Sequence, residues 1–390
     1  MRSSTRLTAS LNASPRAGIV ARTMDAAPRR TSLYENHRAL GARIVPFAGW
    51  ELPVQYAGLV KEHEAVRTAA GLFDVSHMGE LWLEGEHALS LVDWLVTNDV
   101  KALEPGRAQY TVCCNERATI LDDLIVYKHD NDKILIVCNA SNRDKISAHF
   151  RKAAEGHCEF RDITDETALI ALQGPKAHLV LRGAGGSEAL CTMGSFHLGK
   201  GTVGGVAVTA ARTGYTGEDG FELFCPWNDA PRVWDALMAA GKDHGIQPCG
   251  LGCRDTLRLE SRLSLYGNEI DETTNPLEAG LGWVVKMNKG DFVGRAALEK
   301  IKAAPFARKL VGFEMTGRGI GRHGYPVTDA SGKHVGLVTS GSPGPTVGKN
   351  IGLAYVPTAM AEIGTKIGIE IRGSVVDAVV VKTPFYKRAK

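Results

Sequence analysis

Chemistry is concentrated first in the run Arg212-Thr213-Gly214-Tyr215-Thr216-Gly217-Glu218-Asp219-Gly220-Phe221-Glu222, where three glycines at intervals of three separate polar and aromatic side chains. Glycine at such spacing lets the backbone turn sharply or come close to a ligand. Apolar runs at 206–209 and 221–224 flank the loop and read as strands, so Glu222 sits inside a strand entered through a tight turn. Two readings stay open. In one, a hairpin turns Glu222 to water, as most strand charges are. In the other, Tyr215 stacks on a flat ligand while Glu222 accepts a pair of its N–H donors. Arg254, in Gly250-Leu251-Gly252-Cys253-Arg254-Asp255, is placed at the first turn of a predicted helix. Its guanidinium fork suits a carboxylate or a polar ring, with a surface salt bridge as the alternative. Asp99 lies where an amphipathic helix over 87–96 runs out into Thr97-Asn98-Asp99-Val100, and polar side chains there take over spare backbone groups.

Other residues that invite a chemical role carry less. Asp122 and Asp123 are adjacent and, if extended, point to opposite sides, so they do not read as a paired-carboxylate site. His77 has no second histidine or carboxylate at ligand spacing and reads as a hydrogen-bonded structural residue, so no metal is expected. The eight cysteines contain no C-x-x-C pair and several lie in apolar runs such as Ile134-Leu135-Ile136-Val137-Cys138, which makes them reduced core thiols. Gly214, Gly217 and Gly220 are spaced three and three, which does not match the dinucleotide fingerprint.

Composition bounds the partners. With 390 residues, 44% hydrophobic and 23% charged, the chain reads as a globular protein of two or three domains, and no apolar run is long enough for a membrane span. Six of the 46 basic residues but only one of the 43 acidic ones fall within residues 1–30, so the remainder carries a formal charge of −2. That basic, Ser/Thr/Ala-rich start has the composition of a mitochondrial transit peptide taking no part in the fold; a disordered bacterial extension or a misassigned start fits it too. No basic patch interleaved with aromatics follows, so nucleic acid is not an expected partner.

The elements that must position these residues alternate. A helix over 57–70 closed by Gly71, strands at 81–83, 108–112, 124–127 and 133–138, and a helix of about twelve residues capped by Ser141-Asn142 precede a strand at 168–173 and helices at 230–244 and from 250. Strand, helix, strand, strand, helix with hairpin signals gives an α+β fold. After Pro305 short apolar strands alternate with Gly/Pro turns, as in a small β-barrel.

Taken together, Phe47-Ala48-Gly49-Trp50, Phe73-Asp74-Val75-Ser76-His77-Met78, Asn98-Asp99-Val100, Asp122-Asp123-Leu124-Ile125-Val126-Tyr127, Leu172-Gln173-Gly174-Pro175, the Gly214–Gly220 loop, Arg254-Asp255-Thr256-Leu257-Arg258-Leu259-Glu260, Leu265-Tyr266-Gly267 and Thr339-Ser340-Gly341 resemble, collinearly, the T-protein family of the glycine cleavage system. Beyond the leader that composition marks over 1–30, the resemblance implies a folate-binding aminomethyltransferase region of two lobes over 31–290 and a C-terminal β-barrel over 305–390, the three lobes forming a ring. It implies a tetrahydrofolate-dependent aminomethyltransferase, which the composition of residues 1–30 assigns to the mitochondrial matrix. Such an enzyme passes the methylene carbon of an aminomethyl group on the lipoylated H-protein to tetrahydrofolate, releasing ammonia. Asp99 matches the family's catalytic aspartate, Glu222 the glutamate that binds the pterin, and Arg254 an arginine of the folate site. Tyr215 and Asn115 match pocket residues, and Tyr110 lies beside Asn115.

Two departures stand out. Arg117-Ala118-Thr119 replaces the glycines that often follow the hairpin asparagine, and Tyr386 stands one residue beyond the matched Phe385 in a short tail. A folate-dependent demethylase, a stand-alone relative of the folate-binding half of sarcosine and dimethylglycine dehydrogenases, and a folate-binding accessory protein of iron–sulfur assembly share the architecture. Retained Asp99, Glu222 and Arg254 argue against the accessory role.

Overall fold

The computed structural model describes residues 27–389. Most of the proposed leader lies outside the described residues. Arg29–Arg30, counted with it, instead form a short strand parallel to Trp50–Gln55, and Arg29 stacks on Trp50 and pairs with Asp165. Those two arginines therefore belong to the fold.

Among the described residues, a small three-stranded sheet (Arg29–Arg30, Trp50–Gln55, Arg43–Phe47), two larger sheets and a barrel make up the body. A six-stranded sheet runs Leu198–Val203, Val206–Ala211, Gly220–Pro226, Thr167–Gln173, Ala70–Asp74, Ile246–Pro248. A five-stranded sheet runs Arg107–Cys114, Ile120–Asp130, Lys133–Cys138, Gly79–Glu84, Glu159–Asp162. All strands of the second sheet fall between Ala70–Asp74 and Thr167–Gln173 of the first, so that lobe is inserted into the other. Strands from Arg308 to Val381 close the six-stranded barrel expected from the alternating C-terminal pattern.

The two larger sheets pack face to face, and alternation decides which side chains meet there. In Thr167–Gln173, Ala168, Ile170 and Leu172 join the core under helices Ala177–Gly183 and Ala230–Gly241, while Leu169 and Ala171 join Val137, Leu135 and Tyr127 of the other sheet. A strand covered on both faces needs the near-continuous apolar run seen in its sequence. Helices Ala88–Leu95 and Arg143–Ala154 cover the outer face of the five-stranded sheet.

Several local expectations change on inspection. Gly71 does not cap the helix, which ends at Thr68; it lies in strand Ala70–Asp74, where an added Cβ would meet Val66 at 2.4 Å and the Cys249 sulfur at 2.7 Å. Asn142 precedes the helix Arg143–Ala154 without capping it, because its amide donates to Asp122 at 2.6 Å. Seven of the eight cysteines are buried, as core thiols should be.

A buried relay anchors the first helix. The Asp74 carboxylate accepts from Thr31 (2.6 Å), His37 (2.8 Å) and the Ser76 N–H (3.0 Å), and His37 meets Tyr56 at 2.8 Å. Burial alone would raise its pKa, but these partners hold it down at about 2. Glu260, buried, is likewise held at about 2 against burial by His63, Thr346 and Arg67. Both folded-state values lie below the ordinary ones, so their stabilisation is complete above about pH 4.5 and lost as pH falls through about 2. Each contributes roughly 2–3 kcal/mol by linkage. Urea unfolding from pH 5 to pH 2 should therefore show a steep acid limb, and Asp74→Asn should flatten it; an unchanged limb contradicts the assignment.

Candidate functional site

Glu222 is the third residue of Gly220–Pro226, and alternation sends Phe221, Leu223 and Cys225 to the helix-covered core. Glu222 therefore shares the inter-sheet face with Phe224. Its cross-strand neighbours are Ala171 and Ala211, whose short side chains leave space beside the carboxylate. From the opposing sheet the Tyr127 hydroxyl donates to Glu222 Oε2 at 3.2 Å, and the Thr213 hydroxyl donates to the same oxygen. No protein donor meets Oε1 among the described residues. The water-facing hairpin is thus replaced by a half-buried carboxylate held at one oxygen and open at the other.

The glycines of the loop serve packing more than ligand approach. A Cβ on Gly214 would lie 2.0 Å from the Gln173 amide oxygen, and Gly217, at φ +80°, makes the turn. Gln173 in turn donates to the Thr213 carbonyl (3.1 Å) and accepts from Thr216 (2.9 Å). Arg212 braces the base of the loop against Asp219. The result fixes Tyr215, whose hydroxyl donates to the Ser264 carbonyl and whose ring lies 4.7 Å from the Arg254 guanidinium.

Arg254 is the fourth residue of helix Leu251–Glu260 and makes no carboxylate ion pair among the described residues. Burial lowers its pKa, while Tyr215 and Glu222 act in the opposite direction. The neighbouring Arg258, 1% exposed, carries the ion pairs instead, bonding Asp255 (2.8 Å), buried Glu269 (2.8 Å) and Ser340 of the barrel (2.8 Å). His77, beside Arg254, is lowered to about 4 by burial and that positive charge, so it is neutral at physiological pH.

Tyr110 closes the same region from strand Arg107–Cys114. Its ring stacks on Trp283 with centroids 5.7 Å apart, and its hydroxyl donates to Asp123 at 3.0 Å. Tyr110 and Tyr215 are close enough to feel one another's charge. Asp122 and Asp123 keep regular register opposite Cys113 and Val112 and take partners on opposite faces, Asn142 for Asp122 and Tyr110 for Asp123, yet the Asn139 amide at the sheet's end reaches both carboxylates at 2.8 and 2.7 Å. Burial and mutual repulsion raise the pKa of Asp122, and burial raises that of Asp123.

Asp99, half-buried, follows helix Ala88–Leu95. Its carboxylate accepts the Ala102 N–H at 2.9 Å, and Asn98 ties the segment to the Tyr110 carbonyl at 2.9 Å. It lines a cavity of about 590 Å³ with Gln109, Lys286, Lys289 and Lys302. Glu222 is not part of that cavity's lining; the edge strand carrying Gln109 and Tyr110 joins the two regions. Asn115 follows the strand that carries Tyr110. Its amide holds the hairpin turn, accepting from Arg117 (3.0 Å) and Thr119 (3.2 Å) and donating to Thr119 (2.6 Å). That turn keeps a left-handed residue, Ala118 at φ +65°. Tyr386 packs its ring 4.0 Å from the Arg67 guanidinium, which also bonds Glu218 of the glycine loop, so the tail braces that loop from behind.

Sequence reasoning missed Tyr127, Thr213, Trp283 and Lys289. Trp283, on the single turn Gly282–Val284, shows itself only through its stacking on Tyr110.

A pair of facing sheets with one open carboxylate and one guanidinium without a carboxylate partner beside aromatic rings, and a barrel docked on the arginine's helix, is an arrangement suited to a flat polar ligand. Residues 33–289 match the GCVT N-terminal domain and residues 308–387 the glycine cleavage T-protein C-terminal barrel domain. The chain belongs to the glycine cleavage T-protein family of aminomethyltransferases. It is 50% identical to an aminomethyltransferase of Symbiobacterium thermophilum over 371 residues, 93% of this chain and 99% of the relative. To that of Bacillus subtilis it is 47% identical, over 92% of this chain and 99% of the relative. The crystal structure of glycine cleavage system aminomethyltransferase T from Bartonella henselae superposes with a TM-score of 0.86 at 35% identity, covering 92% of this chain and 98% of that one.

Proposed function

We propose that this aminomethyltransferase takes the methylene carbon of an aminomethyl group carried on the lipoyl arm of an H-protein and passes it to tetrahydrofolate, giving 5,10-methylenetetrahydrofolate, ammonia and the dihydrolipoyl carrier. The observation carrying the reading is the open oxygen of Glu222 in a narrow inter-sheet space, with Arg254 and Tyr215 beside it. A reduced pterin presents adjacent N–H donors to such a carboxylate, and a buried pair of that kind is costly to leave unmade. Tyr110 and Tyr215 supply flat faces. Asp99 accepts hydrogen bonds from the folate amine nitrogens and takes a proton as a C–N bond forms, while the departing amine and sulfur gain the protons the two nitrogens lose. Placement does the rest.

The test is turnover of the full chain with aminomethylated H-protein and tetrahydrofolate, followed by methylene-group formation and ammonia release. Both should appear in equal amounts; folate binding without either product favours an accessory folate-binding protein. A mitochondrial-matrix location is supported by the composition of residues 1–30 alone, and a reporter carrying those residues should be imported and cleaved; a reporter left in the cytosol contradicts it.

A further inference from the structure

Asp99 lies outside any helix or strand, so its carboxylate goes where neighbouring groups hold its segment. Much of that hold comes from one ion pair. Asp93 Oδ1, on helix Ala88–Leu95, accepts the N–H groups of Val100 (2.8 Å) and Lys101 (3.3 Å) on the far side of Asp99. The same oxygen lies 3.1 Å from Lys289 Nζ. Lys289 also donates to the Asn98 carbonyl on the near side at 2.9 Å, and to the Asp93 carbonyl. Its side chain is only 1% exposed and passes 5.3 Å from the Phe292 ring. Two further ties from the same stretch of chain flank it: the Thr97 hydroxyl donates to the Val284 carbonyl (3.0 Å) and the Lys286 N–H to the Thr97 carbonyl (2.9 Å). Lys289 and Asp99 line one cavity.

A buried ammonium is an unfavourable choice where packing alone is needed. Here it donates to the carbonyl immediately before Asp99 and pairs with the carboxylate that holds the two N–H groups immediately after it. We propose that Asp93 and Lys289 are positioning residues for methylene transfer, gripping the Asp99 segment on both sides so that the carboxylate meets the tetrahydrofolate nitrogens. The inference rests on the role of Asp99 proposed above. Neither residue touches substrate; both act through Asp99.

Steady-state kinetics of the full chain with aminomethylated H-protein and tetrahydrofolate test it. Lys289→Met should lower kcat by about 10–100-fold, the scale of a small misplacement of a reacting group, and leave KM for tetrahydrofolate within a factor of about three. Lys289→Arg should restore most of the loss. Exposed Lys101, 3.7 Å from Asp93 Oδ2, leaves that carboxylate a partner when Lys289 is replaced. Should Lys289→Met still fail to fold, Asp93→Asn keeps an oxygen for Val100 while removing the ion pair, and the same kcat split is expected. In an Asp99→Asn background, Lys289→Met should cause little further loss, because the group it positions is already inactive. Unchanged kcat, a change confined to KM, or the same loss in the Asp99→Asn background overturns the inference. Slow Asp99→Asn with fast Lys289→Met sinks only the ion pair, whereas fast Asp99→Asn sinks the role of Asp99 itself.

Discussion

Replacing Asp99 by asparagine is expected to lower turnover by about 10²–10⁴-fold, the range for losing a general base, while tetrahydrofolate affinity stays within a few-fold. The structure makes this substitution unusually clean. The Asp99 oxygen that accepts the Ala102 N–H at 2.9 Å has an equivalent in the asparagine amide, so the turn survives. What disappears is a negative charge able to take a proton. Rapid-quench single turnover separates the step from product release. A variant that binds tetrahydrofolate weakly, yet reacts at the normal rate once saturated, contradicts the assignment.

Glu222→Ala should show the reverse pattern. Two charge-assisted hydrogen bonds, each worth about 1.5–3 kcal/mol, are removed from the complex, and affinity for tetrahydrofolate should fall by about 10²–10⁴-fold. The protein itself should lose little. Tyr127 and Thr213, which both donate to Glu222, lie 3.4 Å apart and can turn to one another, so the two hydroxyls keep a partner. Calorimetric titration of tetrahydrofolate, with the thermal midpoint measured alongside, checks both halves. Unchanged affinity, or unfolding of the variant, contradicts the reading.

Legibility of the site differed from residue to residue for physical reasons. Glu222 was readable as a strand carboxylate because two flanking apolar runs and a glycine turn mark the strand that carries it. The face it points to was not, since that depends on Ala171 and Ala211, which come from other strands. The glycines of 214–220 announced a turn, but their close approach to Gln173 is a contact across 40 or so residues that local pattern cannot supply. Alternation placed Asp122 and Asp123 on opposite faces, but the one amide that reaches both, Asn139, comes from a residue beyond the next strand, which local pattern does not supply. Asn115 was matched as a pocket residue, yet its polar atoms are taken by its own turn. Lys289 carried no signal at all: a lysine after a loop reads as solvated until the fold buries it.

The fold was more open to reading than the site. Strand Lys133–Cys138 and helix Arg143–Ala154 fall where periodicity placed them, and the barrel follows from its turn chemistry. Insertion of one lobe between two strands of the other was not legible, because strand order is decided by pairing partners far apart in sequence.

A crystal of the complex with tetrahydrofolate bears most directly on whether Glu222 and Asp99 act on one substrate molecule. The pterin edge is expected on Glu222 Oε1, with the reacting nitrogens within about 3 Å of the Asp99 carboxylate. A pterin seated away from Glu222, or one that meets Glu222 while its reacting nitrogens lie beyond the reach of Asp99 and of any bridging water, contradicts it.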